Sequence, residues 1–76
     1  FDEAIKLNPK DGVYRNNKGS SLNLLGKYLE AIQCFDEAIK LNPKDGVYWN
    51  NKGKSLKSLG KYLEAIQCFD EAIKLN

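Results

Sequence analysis

The chain has no histidine and no methionine, and only two cysteines, two prolines and one tryptophan. Without histidine, the commonest general base and the commonest nitrogen ligand for metals are both missing. Without an initiator methionine, a chain that begins at Phe1 reads as a piece of something longer. Two cysteines are too few for a disulfide framework, and a zinc site would need two more ligands. Cys34 and Cys68 therefore read as half-buried thiols behaving as small hydrophobes, in keeping with a reducing cytoplasm. No apolar run approaches the ~18 residues of a membrane-spanning helix, and no signal-peptide pattern is present. Neither sign of charge dominates: twelve Lys and Arg against ten Asp and Glu leave +2, far from the basic excess of a dedicated nucleic-acid domain. What remains is a chain of 76 residues, 42% hydrophobic and 29% charged, the composition of a soluble globular protein of one domain at most. A compact core of that size would be marginal, since so short a chain buries only about 60–65% of its unfolded surface.

The two cysteines lie 34 residues apart, and the whole chain matches itself at that offset. FDEAIKLNPKD at 1–11 recurs unchanged at 35–45. Residues 12–42 recur at 46–76 with four differences: Arg15/Trp49, Ser20/Lys54, Asn23/Lys57 and Leu24/Ser58. A fixed period of this length marks a stacked array in which each unit buries its apolar face mainly against its neighbours. Within a unit, Asn42-Pro43-Lys44-Asp45-Gly46 is loop chemistry. Pro43 forces Asn42 out of the helical region, and Asp45 is placed to cap the next helix. A first helix is predicted over 46–59, and over 12–25 in the preceding unit, with Tyr48, Trp49, Leu56 and Leu59 on one apolar stripe. Gly60-Lys61 is the turn, because glycine accepts the left-handed conformation that commonly ends helices. A second helix is predicted over 62–75, and over 28–41 before it. Its stripe is Tyr62, Ala65, Ile66, Phe69, Ala72 and Ile73. No period-2 alternation persists, so strands are not expected. The expectation is an all-α chain of helix-turn-helix units: the end of a second helix and its loop at 1–11, one full unit at 12–45, and one at 46–76 lacking its final loop.

This period and its small-residue positions resemble the tetratricopeptide repeat, a unit of about 34 residues with the pattern W-x2-L-G-x2-Y, then A-x3-F, then P. The second unit carries Trp49, Lys52, Gly53, Leu56, Ala65 and Phe69; the first carries Arg15, Lys18, Gly19, Leu22, Ala31, Phe35 and Pro43. Lys stands where the pattern has Leu, Leu where it has Tyr, and Arg15 replaces the Trp that Trp49 keeps. Gly19 and Gly53 each cost about 1 kcal/mol relative to Ala in a helix interior. Close approach of the second helix would offset that cost, with Ala31 and Ala65 as the matching small residues and Phe35 and Phe69 filling the space between hairpins. Lys18 and Lys52 can lay their stems on apolar surface while the ammonium stays wet.

The resemblance implies antiparallel hairpins stacked as a right-handed α-solenoid, with the first helix of each unit lining a concave groove that holds a peptide or helix. The family's usual groove positions fall here on Val13, Asn16, Ser20, Asn23 and Leu24, then on Val47, Asn50, Lys54, Lys57 and Ser58, with Asn17 and Asn51 beside them at a position some members use for polar peptide contacts. All four differences between units lie in the first helix, and three lie at groove positions. Either a ligand surface has been varied on a fixed scaffold, or a recent duplication carries a few random changes. Charge divides too. The first helices carry Arg15 and Lys18, then Lys52, Lys54 and Lys57, with no acid; the second helices carry three acids against one Lys each. A basic groove would suit an acidic peptide or a carboxylate terminus. Alternatively the two sets of charges complement each other between helices. The clamp by which some members grip a terminal carboxylate is not supported: Asn51 matches its middle element, but Asn16 stands at its Lys position and Ser20 at the partner Asn.

Nothing points to an enzyme, a cofactor or a metal. Asp36-Glu37 and Asp70-Glu71 are adjacent on a helix, so their side chains diverge by about 100°. Low net charge and the lack of a nucleic-acid motif argue against nucleic acid. A solenoid wants polar ends, and this chain opens and closes on second-helix sequence, so copies could also stack head to tail.

Overall fold

The computed structural model describes residues 10–75, which form four helices: α1 Lys10–Leu24, α2 Tyr28–Leu41, α3 Gly46–Ser58 and α4 Tyr62–Leu75. No strand occurs among the described residues. The expected helix at 1–7 lies outside them. α1 and α2 form one hairpin, α3 and α4 another, and α3 packs on α2 while also touching α1.

The hairpin turns follow from one glycine each. Gly26 and Gly60 have φ of 80° and 81°. In each turn the residue after the glycine closes back on the helix, Lys27 N–H donating to the Leu22 carbonyl and Lys61 N–H to that of Leu56, both at 2.9 Å. The glycines donate to Asn23 and Lys57 at 3.0 Å. This paired closure satisfies carbonyls that a helix end leaves open, and it ends α1 and α3 one residue earlier than the spacing predicts.

The helix starts differ between the repeats, and the difference tracks Arg15/Trp49. At α3, Asp45 caps the helix, its carboxylate accepting from Val47 N–H at 3.0 Å. The Trp49 indole donates to the Pro43 carbonyl at 3.1 Å and ties the loop to the helix. In the first repeat Arg15 stands in place of Trp49 and reaches one turn back to Asp11 at 3.4 Å. Asp11 is accordingly inside the helix, whereas Asp45 stands outside α3.

Core packing sits between the helices of each hairpin and across the α2–α3 junction. Ala31, Phe35 and Ala38 of α2 are almost wholly buried. Leu56, Ala65 and Cys68 form a cluster onto which Ile32, Trp49 and Phe69 pack. Gly19 and Gly53 do mark close approaches, but the close neighbour is the phenylalanine of the same hairpin, not the expected alanine. A Cβ at Gly19 would stand 2.6 Å from Phe35 Cε1, and one at Gly53 2.6 Å from Phe69 Cε1. Each ring therefore lies against its own hairpin's first helix, and Phe35, 1% exposed, also borders the space between the two hairpins.

Candidate functional site

Because α1 and α3 lie side by side, their outward faces form one surface. Between them is an open concavity of about 190 Å³ lined by Ser20, Asn23, Leu24, Phe35, Asn51 and Lys54. Five of these six are groove positions named from the sequence; Phe35 forms the sixth wall from α2. Val47 and Asn50 line a different concavity, against α4. Val13, Asn17, Lys57 and Ser58 are exposed and line neither. Ser58 turns its hydroxyl back to the Lys54 carbonyl at 3.1 Å.

Polar residues at the floor of this surface brace one helix against the other. Asn51 Nδ2 donates to Asn16 Oδ1 at 2.8 Å, and the Ser55 hydroxyl donates to Asn23 Oδ1 at 2.8 Å. Ser55 is fully buried and does not stand out in the sequence. The available signal is a serine in a helix interior, where its hydroxyl either competes with the backbone or needs a partner elsewhere. Asn16 and Asn23 thus hold α3 in register with α1, and their side-chain oxygens are already engaged.

The charges of the first helices divide into two groups. Arg15 Nη1 reaches Glu37 on α2 at 2.9 Å, and Lys52 Nζ reaches Asp36 on α2 at 2.7 Å. Lys52 also stands 5.7 Å from the centre of the Trp49 ring. Burial works against the Arg15 charge, but Glu37 and Asp11 outweigh it and raise its pKa. Arg15 and Lys52 therefore complement the second helices. Lys54 and Lys57 are exposed, and among the described residues neither has a carboxylate within ion-pair distance.

Both cysteines are free and buried. Burial pushes the Cys68 thiol pKa upward despite nearby Lys52, which disfavours the nucleophilic thiolate. No helix among the described residues is long and apolar enough to cross a membrane.

Two stacked helical hairpins with a varied surface on their first helices define a repeat scaffold of the α-solenoid class. The tetratricopeptide repeat profile matches residues 13–45 and 47–76, so the chain belongs to the tetratricopeptide repeat family, whose non-catalytic repeats mediate protein–protein interaction. No curated protein matches the chain.

Proposed function

We infer that the chain is a non-catalytic scaffold that holds a peptide or helix against α1 and α3, with the concavity between them as the central subsite. The observation that carries this reading is where the repeats differ. Ser20, Asn23, Leu24 and Lys54, all at positions that differ between the repeats, line that concavity, while the second helices and the glycines they pack on repeat unchanged. Leu24 is 89% exposed and offers an apolar contact at the rim.

An acidic ligand suits the surface. Lys54 and Lys57 are the lysines of α3 that the second helices leave unpaired, and both are one turn or less from the concavity. They can make charge-assisted hydrogen bonds to carboxylates. The ligand's acids steer its approach and its apolar residue meets Leu24. A reducing cytoplasm suits the two buried, unbonded thiols.

Titration of an acidic peptide library against the native chain and against Lys54→Glu/Lys57→Glu tests the reading. The double charge reversal is expected to weaken binding by about tenfold or more, with the difference shrinking at high salt. Equal binding by both proteins would remove the basic groove.

A further inference from the structure

The exchange of Arg15 for Trp49 between the repeats leaves one carboxylate without the partner that its copy has. In the first repeat Arg15 Nη1 reaches across the hairpin to Glu37 at 2.9 Å. Glu71 stands one period on from Glu37, in the identical sequence of α4. Trp49 brings it no charge. Among the described residues its one cation is Lys74, a turn away on the same helix, at 3.8 Å and 72% exposed. A surface pair of this kind is worth about 1 kcal/mol at most, so a competing cation displaces it readily.

Glu71 lines an open concavity of about 470 Å³ together with Trp49, Lys52, Leu56, Glu64 and Cys68, a volume in the range of ligand sites. Lys52 is held by Asp36 of α2 at 2.7 Å. Leu56 and Cys68 belong to the buried cluster on which Ile32 of α2 packs. The concavity thus stands where the two hairpins meet, with both in place. Asp36 neutralises Lys52, so Lys74 alone faces Glu64 and Glu71, and the balance is acidic. It is so even without Asp70 at the rim, whose copy Asp36 is taken by the helix that follows it. The Trp49 indole is fixed by its bond to the Pro43 carbonyl, and its ring already has a cation, Lys52, 5.7 Å from the centre.

We propose that this concavity is a second binding surface, which takes an arginine from a basic segment of a partner protein. The guanidinium does for Glu71 what Arg15 does for Glu37 in the first repeat: it pairs with the carboxylate across the hairpin. Glu64 adds a second carboxylate, and Trp49 adds an aromatic wall that the first repeat lacks. Arginine suits this site better than lysine, because its planar fork meets a carboxylate through two hydrogen bonds and stacks on aromatic faces. The surface shares no lining residue with the concavity between α1 and α3. At about 100° per residue, Trp49, Lys52 and Leu56 lie on the opposite side of α3 from Asn51 and Lys54. A basic segment here and an acidic one between α1 and α3 therefore do not compete.

Trp49 is the only tryptophan in the chain, so its fluorescence and its indole N–H resonance report on this site alone. The probe is a capped, otherwise neutral peptide carrying two arginines, titrated beside its citrulline counterpart, which keeps the shape and loses the charge. The arginine peptide is expected to change the Trp49 signal saturably and to shift the amides of Glu64 and Glu71. The citrulline peptide should bind about fivefold more weakly or less well still, and Glu71→Gln should cost the arginine peptide about fivefold. Trp49→Arg rebuilds in the second repeat the ion pair of the first, so it should close the site, read from amide shifts with helicity checked by circular dichroism. No response at Trp49 and Glu71 up to millimolar peptide, equal binding of the citrulline peptide, or undiminished binding by Glu71→Gln or Trp49→Arg would each overturn the proposal. None of these outcomes bears on an acidic peptide between α1 and α3, so the two readings fail separately.

Discussion

At position 53 any side chain collides with Phe69, because an added Cβ would stand 2.6 Å from one ring carbon and 2.8 Å from the next. Helix propensity alone would make Gly53→Ala stabilising by about 1 kcal/mol. Overpacking costs about 1–3 kcal/mol and opposes it. The ring is a rigid plate lying against α3, so the clash prevails and Gly53→Ala is expected to lower stability in urea titration by up to about 2 kcal/mol. Gly53→Ala/Phe69→Leu should recover part of the loss relative to Phe69→Leu alone, since the flexible side chain yields. A stabilised Gly53→Ala protein would show that the close approach is not a constraint. The glycine was legible in the sequence as a site of close approach, but the neighbour was not. Spacing gives the face of a helix, whereas the choice between Ala65 and Phe69 depends on the rotamer that the ring adopts. The Ser55–Asn23 pair was illegible for a similar reason: it joins residues 32 positions apart through a side-chain geometry that no periodicity encodes.

The two copies of YLEAIQCFDEAIKL separate what a helix owes to its sequence from what it owes to its neighbours. Both run over fourteen residues with the bounds that the spacing predicts, so propensity and turn chemistry suffice to define them. Burial differs because α2 packs against both α1 and α3, whereas among the described residues α4 packs chiefly against α3. Ile32 packs on the cluster formed by Leu56, Ala65 and Cys68, and Ile66 is 54% exposed. Ile32→Ala is therefore expected to cost about 2 kcal/mol or more, and Ile66→Ala less than about 1 kcal/mol, measured by urea unfolding at low concentration. Equal costs would mean that stacking contributes little and that each hairpin stands alone. The first helices show the converse. α1 and α3 have nearly the same sequence, yet they start at different registers, because Arg15 draws Asp11 into the helix and Trp49 ties Pro43 to its outside. Those partnerships appear only when the loop and helix are seen together.

Across the molecule, the 34-residue period made the architecture legible, since it specifies both the hairpin and its stacking. The sign of charge on each helix was legible too, but not its use. Arg15 and Lys52 turn toward α2 and pair with Glu37 and Asp36, while Lys54 and Lys57 face outward. A count of charges along a helix cannot distinguish these directions. Of the groove positions, Asn16 and Asn23 act as braces between repeats, and Ser20, Leu24, Asn51 and Lys54 surround open space with Asn23 and Phe35. The central claim is that this face is the one that meets a partner. Amide chemical-shift mapping with an acidic peptide tests it most directly. Shifts are expected at Ser20, Leu24, Asn51, Lys54 and Lys57. Shifts confined to Glu30, Gln33, Glu64 and Gln67, on the exposed outer surface of α2 and α4, would contradict it.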